Sequence, residues 1–401
     1  MTEVVQRVGD RLEMPGLATA HSHAFQRALR GRTQRTSGSF WSWRGLMYAL
    51  SERMTPDDLY ALSRFAYLEL ARAGVTAVGE FHYVHHQPNG APYDCRTETA
   101  DTVIEAARSV GLRICLLRVL YLRAGLGRTL EDGQRRFVDP DADAGIQDAL
   151  DLRDRWETDP TVEVGIAPHS LRACRVQDFV RAGAAAPWPV HAHVSEQRRE
   201  VWECLAENGR RPVQWLADHG VLDARFVAVH ATHLDPSEVG ALGASQVCLC
   251  RTTERDLGDG LPPTGPLLRA GARLSFGVDS HAWSDPFEEA RAVELDERSR
   301  VEGRGVTTDA ATLLSAATAG GYRAIGMADR QDEDRVELDA NALSLVGASD
   351  GMLDEAVLYG ASASCVEEVR VAGRTIVRSG WHPDEARIRA DYRKTLARLG
   401  L

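Results

Sequence analysis

The stretch Leu12–His23, LEMPGLATAHSH, runs from apolar residues directly into a His-x-His pair. A second such stretch lies far downstream, where the apolar run Arg273–Val278 is followed by Asp279. Between the two, His193 and His230 each end a short strand-like run. In a barrel of parallel strands, the carboxyl ends of all strands open onto one face, where active sites are built. Because three imidazoles and a carboxylate meeting there would bind a divalent metal, the pattern predicts a metal-dependent enzyme.

Eight short apolar runs rich in β-branched residues predict strands of a parallel sheet that is buried on both faces. They are Leu12–Ala20, Val75–Phe81, Arg113–Tyr121, Val162–Ala167, Trp188–His193, Phe226–His230, Gln246–Arg251 and Arg273–Val278. Eight strand-plus-helix units indicate an α/β fold of the (β/α)8 TIM-like barrel type. The alternative is an open doubly wound sheet. That sheet would keep the first and last strands apart, whereas a closed barrel lets His21, His23 and Asp279 share one ion.

Helix signals lie between the predicted strands. Thr55-Pro56-Asp57-Asp58 predicts a helix start, with Thr55 as N-cap, proline at the first position and acids in the first turn. This helix should end near Gly74. Further helices are expected over Glu196–Asn208, Pro212–His219, Pro286–Arg298 and Thr308–Gly320.

From about Val336 the sequence changes to short strand-like runs separated by turn residues such as Ala372-Gly373. The runs are Val357–Tyr359, Val366–Val371 and Thr375–Val377. They predict a small β-domain beside the barrel. We therefore expect residues 1–13 to form the N-terminal part of that domain, residues 14–330 the barrel, and residues 331–401 the C-terminal strands and tail.

The composition excludes several classes of protein. The chain has 401 residues and a net charge of −11, which argues against nucleic-acid binding. No run of about 18 apolar residues predicts a membrane span. The segment Met1–Met14 is polar and predicts no secretory signal. The seven scattered cysteines indicate reduced thiols. We therefore expect a cytoplasmic protein that acts on a small-molecule substrate and binds neither nucleic acid nor membrane.

The metal site predicted from these residues has one ion and an open position for water. His21 and His23 are two apart on a strand, so their side chains point the same way. The only lysine of the chain is Lys394, in the C-terminal tail, which excludes a dinuclear site bridged by a lysine of the barrel. The His-x-Glu…Cys-x-x-Cys signature of the nucleobase-deaminase fold is also absent from the sequence.

Other polar residues follow the predicted strands. Glu196 lies three residues after His193, a position that suits a proton shuttle, although a glutamate there is also favoured by a helix dipole. His191 should be a core residue and His233 should be more exposed. Residues after the second and fourth strands suggest substrate contacts, with an arginine fork suited to a carboxylate. These residues are His82, Tyr83, His85, His86, His169 and Arg172.

Longer strings narrow the interpretation. HSHAFQRA at 21–28, FWSWR at 40–44, EFHYVHH at 80–86 and PHSLR at 168–172 resemble the formimidoylglutamate deiminase family, in the mononuclear deaminase branch of the amidohydrolase superfamily. The resemblance spans roughly residues 14–320. It implies a hydrolase of amidine C–N bonds that converts N-formimidoyl-L-glutamate to N-formyl-L-glutamate and ammonia, a step of histidine degradation.

The resemblance also implies residue roles. One divalent ion, zinc, would lie on His21, His23, His193 and Asp279. The catalytic groups would be Glu196, His230 and Asp279. Substrate contacts would come from Gln26, Tyr83, His169 and Arg172, with Arg172 facing a carboxylate. Thr252–Glu254 and Leu257–Gly260 match a loop of the family to which no role is assigned here.

Two departures from the family pattern stand out. The segment before the first strand is short, so the β-domain formed by the chain termini should be reduced. Arg251 begins the loop after the seventh strand, where we expect a smaller or apolar residue. Neither departure touches the predicted metal ligands.

Two rival functions follow from the same residues. A related deaminase acting on a nucleobase or similar ring amine would lack substrate carboxylates, and would be indifferent to Arg172→Ala. A non-catalytic metal-binding or ligand-binding barrel would not need Glu196 and His230 beside all four ligands. Barrels of this size often form dimers, and we expect a homodimer.

Overall fold

The computed structural model describes residues 3–35 and 37–401, whose strands form two separate sheets. In chain order the strands are β1 (Gln6–Val8), β2 (Arg11–Pro15), β3 (Leu17–Ser22), β4 (Val75–His82), β5 (Arg113–Leu120), β6 (Val162–Pro168), β7 (Val190–Val194), β8 (Phe226–His230), β9 (Gln246–Leu249), β10 (Arg273–Phe276), β11 (Arg335–Asp339), β12 (Val366–Val371) and β13 (Arg374–Arg378). Strands β3 to β10 form a parallel sheet in sequence order, and the other five form an antiparallel sheet.

The parallel sheet closes into a barrel between its first and last strands. The amides of Val278 and Asp279 donate to the carbonyl of His21 at 3.0 and 3.1 Å, and the His23 amide donates to the Asp279 carbonyl at 2.8 Å. These bonds join the end of β3 to the segment after β10. The predicted (β/α)8 TIM-like barrel is confirmed, and the open doubly wound sheet is excluded.

Helices follow the barrel strands and cover the outside of the barrel. They are α1 (Phe40–Ser51), α2 (Pro56–Arg72), α3 (Glu98–Val110), α4 (Ala142–Trp156), α5 (Val176–Ala185), α6 (Arg198–Asn208), α7 (Pro212–Asp218), α8 (Pro236–Ala241), α9 (Arg251–Leu257), α10 (Thr264–Arg269), α11 (Pro286–Val301), α12 (Ala310–Ser315), α13 (Gly321–Ala324), α14 (Leu353–Gly360) and α15 (Glu385–Leu399). Helix α2 begins as predicted, with the Thr55 hydroxyl accepting from the Asp58 amide at 3.3 Å. After α12 the chain continues as a π-helical turn, Ala316–Gly320.

The barrel strands are buried on both faces, as their continuous apolar runs predict. Every residue of β4 and of β5 is buried, and one apolar core extends from the barrel interior to the surrounding helices. Small residues allow the closest approaches. A Cβ on Gly277, for example, would lie 2.7 Å from the Cβ of His21, so glycine is required where the barrel closes. In the described part of the chain, no helix has the length and apolarity needed to cross a membrane.

The antiparallel sheet is built from both chain termini in the order β1-β2-β11-β12-β13. The predicted first strand, Leu12–Ala20, is therefore two strands in different sheets. They separate at Gly16, where a Cβ would lie 2.2 Å from the Thr76 hydroxyl oxygen, so only glycine lets the chain pass. The sheet comprises residues 6–15 and 335–378, while the predicted domain limits at 13/14 and 330/331 stay predictions.

One predicted strand of the C-terminal region is wrong. Val357–Tyr359 lies in helix α14, not in a strand. The buried residues of this helix are Leu353, Asp354, Val357 and Leu358. Val357 and Leu358 follow Leu353 by four and five residues, a spacing that places the three apolar side chains on one helical face. A three-residue apolar run cannot distinguish this face from a short strand.

Candidate active site

Four predicted metal ligands converge at the barrel mouth. The Nε2 atom of His21 lies 3.2 Å from Nε2 of His23 and 3.2 Å from Nε2 of His193. Asp279 Oδ1 is 3.5 Å from His21 Nε2 and 3.3 Å from His23 Nε2. All four side chains are buried, and their donor atoms lie within 4.8 Å of one another. Two ligands of a tetrahedral zinc ion are about 3.4 Å apart, so these residues could hold one metal ion.

Hydrogen bonds and burial keep the imidazoles of the predicted metal ligands neutral and suitably oriented to bind a cation. His23 Nδ1 donates to the Phe81 carbonyl at 3.0 Å, and His193 Nδ1 donates to the His169 carbonyl at 3.1 Å. Each bond leaves the lone pair of Nε2 directed at the site. Burial lowers the pKa of His23 to about 3 and the pKa of His21 and His193 well below the usual range. Neutral imidazoles with converging lone pairs fit a metal ion.

Sequence reasoning missed a buried acid behind the His-x-His segment. Glu80 Oε2 accepts from the Ser22 hydroxyl at 2.6 Å, and its Oε1 accepts from the Ala24 amide at 2.8 Å. These bonds hold the turn that carries His21 and His23. Burial raises the pKa of Glu80 to about 7. The string EFHYVHH contains this residue, but the sequence does not show which groups a glutamate in a buried strand will accept hydrogen bonds from.

The three predicted catalytic groups lie close together, and one of them, Asp279, is also a metal ligand. His230 Nε2 is 3.9 Å from Glu196 Oε1 and 3.6 Å from Asp279 Oδ2. Burial raises the pKa of Glu196, and the nearby Asp279 carboxylate adds to this effect while His230 opposes it. Burial would lower the pKa of His230, but the charges of Glu196, Glu254 and Asp279 outweigh it and raise the pKa well above its ordinary value. These groups can exchange protons at short range.

The strand ends that carry the site have an unusual backbone. Ser195, His230 and Asp279 adopt φ angles of +53°, +70° and +46°, a region that residues with a side chain seldom occupy. Such conformations cost about 1–3 kcal/mol each and persist where surrounding contacts fix them. At Ser195 the fixing group is Glu200, whose carboxylate accepts from the amides of Ser195 and Glu196 at 3.2 and 3.1 Å.

A pocket adjoins the metal ligands and contains the four predicted substrate contacts. Gln26 Nε2 donates to the Tyr83 hydroxyl at 2.6 Å, and His169 and Arg172 also line the pocket. Arg172 is only 8% exposed, yet no acid within residues 3–35 and 37–401 forms an ion pair with its guanidinium. Its Nε has no hydrogen-bond partner there, and its guanidinium carbon lies 5.9 Å from the Phe40 ring. A buried unpaired cation beside a pocket is suited to bind an anion.

Helix α1 supplies a pocket wall that sequence reasoning did not assign. Its pocket residues include Arg44, which pairs with Glu131 at 3.1 Å and lies over the rings of Trp41 and Tyr48. The remaining lining residues are mostly aromatic or apolar: Phe40, Trp43, Met47, Tyr48, Tyr121, Phe137 and Leu257. The string FWSWR drew attention to this helix, but nothing in it shows that the helix folds over the barrel mouth.

Several other candidates lie outside the pocket. His82, His85 and His86 are buried and contact the Thr99 hydroxyl and the carbonyls of Val119 and Val138, respectively. Their suggested role near the substrate is therefore not supported by the structure. His191 is a core residue as predicted, contacting the Ala324 carbonyl at 2.8 Å, and His233 is half-buried.

A second group of potential ligands shares Asp279. It consists of His230, Cys250 and Asp279. Burial raises the pKa of the Cys250 thiol well above its usual value. Because the group of three histidines and Asp279 supplies four converging ligands and this group only three, we favour the former as the metal site.

Comparison with known proteins agrees with this architecture. The model of the amidohydrolase family matches residues 13–375. The chain belongs to this family. Formimidoylglutamate deiminase from Pseudomonas aeruginosa is 38% identical, over 98% of this chain and 90% of the relative. The amidohydrolase structure from Brucella melitensis superposes with a TM-score of 0.91 at 32% identity, covering 99% of this chain and 96% of that one.

A further family member has a different named activity. The structure of an adenosine deaminase from Xanthomonas campestris, with bound zinc, has a TM-score of 0.82 and 26% identity. The alignment covers 98% of this chain and 86% of that one. Proteins with this fold thus carry the names of more than one activity.

Proposed function

We propose that this amidohydrolase is a formimidoylglutamate deiminase, which hydrolyses N-formimidoyl-L-glutamate to N-formyl-L-glutamate and ammonia. The Pseudomonas aeruginosa relative of that name aligns with nearly the whole chain. The structural observation that carries the proposal is the buried guanidinium of Arg172 in the pocket beside the metal ligands, which forms no ion pair with any described residue. A substrate with a carboxylate near an amidine group would pair with this cation while its amidine carbon faces the ligands.

The pocket offers cationic contacts for both substrate carboxylates. Arg172 would bind one of them through the paired N–H groups of its guanidinium. Arg44, on the neighbouring wall, would bind the other after exchanging or sharing its contact with Glu131. Gln26 and Tyr83, joined by their own hydrogen bond, would orient the formimidoyl group. The aromatic lining would exclude water around the substrate chain.

We propose zinc as the metal, held by His21, His23, His193 and Asp279. Three imidazoles and one carboxylate are ligands that zinc accepts, and the bound zinc of the Xanthomonas structure is consistent with this choice. When bound, the ion would act as a Lewis acid and lower the pKa of water toward neutrality. The remaining work falls to the side chains around it.

Proton transfer is assigned to the carboxylates and His230. Glu196 lines the pocket and has a raised pKa, so it can take a proton from the attacking water and pass it to the departing nitrogen. Asp279 Oδ2, which faces His230 Nε2, would accept the second proton, from the hydroxyl of the tetrahedral adduct, and this proton would also reach the departing nitrogen. His230 would stabilise the oxygen that adds to the formimidoyl carbon. Cleavage of the C–N bond then releases ammonia and leaves the formyl oxygen derived from water.

The direct test is product analysis with the zinc-loaded protein. Incubation with N-formimidoyl-L-glutamate should release ammonia together with N-formylglutamate, identified by mass. Formamide plus glutamate would show that a different bond is cleaved. Ammonia from adenosine or a triazine, with none from N-formimidoyl-L-glutamate, would favour the ring-deaminase alternative. Light scattering of the same preparation tests the predicted homodimer.

A further inference from the structure

A line of buried charged groups extends from His230 away from the pocket. His230 Nδ1 lies 3.4 Å from Glu254 Oε1, on the side of the ring opposite Glu196 and Asp279. The same glutamate oxygen accepts from the Cys250 amide at 2.9 Å. Glu254 is only 1% exposed. It belongs to the segment Thr252–Glu254, which has no role in the proposed chemistry.

Arg251 is the buried ion-pair partner of the Glu254 carboxylate. Its side chain is completely buried, with Nη1 3.3 Å from Glu254 Oε2 and Nη2 3.2 Å from Asp296 Oδ2. A buried charge is tolerated when a partner of opposite sign and further hydrogen bonds compensate it. The arginine that is unexpected from sequence at the start of this loop is therefore the counter-ion of Glu254.

We infer that Arg251 and Glu254 are positioning residues for His230. The carboxylate of Glu254 accepts the Nδ1 proton, which fixes the ring and directs Nε2 toward Glu196 and Asp279. Arg251 holds Glu254 in this orientation through its ion pair with Oε2. The hold is needed because His230 and Ala231 have φ angles of +70° and +51°, so their local backbone does not favour this ring position by itself.

The inference rests on the proposed function only in the catalytic role that it gives to His230. Glu254→Gln keeps the shape of the side chain but removes its charge, and Arg251→Met removes the counter-ion. A hydrogen-bond partner on the second ring nitrogen of a catalytic or metal-binding histidine typically contributes roughly 10- to 100-fold to activity or metal affinity. We expect kcat to fall by about this factor in E254Q, with the KM for N-formimidoyl-L-glutamate and the zinc content unchanged.

Arg255→Met is the matched control. Arg255 lies on the same helix and pairs with the same Asp296, but within the described residues its side chain forms no hydrogen bond or ion pair with the site. Its replacement should leave kcat unchanged, whereas R251M should lower it. The double variant R251M/E254Q should be no slower than E254Q alone, because Arg251 acts through Glu254. Independent, multiplicative losses in the double variant would overturn the inference.

A spectroscopic measurement separates this inference from the proposed function. In zinc-loaded protein with nitrogen-labelled histidine, the Nδ1 proton of His230 should give a low-field signal that disappears in His230→Gln. The signal should persist in R255M and be lost or shifted in E254Q and R251M. If the wild type does not hydrolyse N-formimidoyl-L-glutamate but shows this pattern, the proposed function fails and the positioning role stands. An unchanged signal in folded E254Q would refute the role, and R251M gives the same test if E254Q does not fold.

Discussion

Replacing Arg172 with methionine tests how the pocket recognises its substrate. The side chain is 8% exposed and makes no ion pair within the described residues, so its charge is available to a ligand. Methionine preserves much of the apolar stem and its packing against Phe40 while it removes the guanidinium. The change should therefore affect recognition of a carboxylate more than the shape of the pocket.

The expected loss follows from the burial of the charge. Removing one partner of a buried, hydrogen-bonded charge pair costs about 2–5 kcal/mol. At about 1.4 kcal/mol for each factor of ten, kcat/KM should fall roughly 30- to 4,000-fold. Because no acid of the described residues forms an ion pair with this buried cation, R172M should unfold at a temperature no lower than that of the wild type.

The assay compares R172M and wild type on N-formimidoyl-L-glutamate and on two analogues, each lacking one of its carboxylates. The analogue without the carboxylate that Arg172 binds should lose no further activity in R172M, which identifies that carboxylate. Arg128→Met is the control, because Arg128 is half-buried nearby but already pairs with Glu203. If R172M keeps kcat/KM within about twofold of wild type, the guanidinium contributes less to substrate recognition than one charge-assisted hydrogen bond would. That result would refute the role of Arg172 in binding a substrate carboxylate.

Three further predictions concern the protons, the metal and the fold. Glu196→Gln should keep its zinc and lose kcat by about 10²–10⁴-fold, and full activity measured beside an unchanged zinc content would contradict the shuttle role. Removing the metal with a chelator should abolish ammonia release. It should also lower the free energy of unfolding by about 4 kcal/mol, compared with protein in zinc at a thousand times the Kd. Calorimetry with and without zinc measures this difference, and an unchanged stability would rule out a bound ion. Burial, with Arg118 and Arg136 nearby, lowers the pKa of His82 to about 3, so the unfolded chain binds the extra proton as pH falls from about 6.5 toward 3. His82 should therefore contribute a loss of stability of about 1.4 kcal/mol per pH unit over that range, in addition to the losses from the other buried histidines. Urea titrations should find the slope smaller by this amount in His82→Gln, and equal slopes in the two proteins would contradict the prediction.

The barrel could be predicted because its signals are local and repeated. Continuous apolar runs mark strands buried on both faces, and polar residues after those runs mark the mouth. The prediction was wrong where the same local signal has two structural meanings. Leu12–Ala20 reads as one run, yet its division at Gly16 depends on contact with Thr76, far away in the chain. Val357–Tyr359 is apolar because it belongs to a helix that packs against the core, and not because it forms a strand.

The metal ligands could be predicted for a different reason. His21, His23, His193 and Asp279 lie at or just after the carboxyl end of a barrel strand, so barrel topology alone brings them together. Arg44 could not be found this way, since its position depends on how helix α1 folds over the mouth. Glu80, Glu200 and Glu254 also escaped sequence reasoning, because each acts by accepting backbone amides whose partners only the folded chain defines.

These missed acids share one physical task. The strand ends that carry Ser195 and His230 have backbone angles that their residue types disfavour, at about 1–3 kcal/mol each. A buried carboxylate beside each of them, Glu200 or Glu254, binds the local amide or ring N–H. Glu200 and Glu254 thus fix the orientation of the reactive side chains. A barrel with the same four metal ligands but without these two acids would bind the metal, but would not hold Glu196 and His230 in the orientation that the reaction needs.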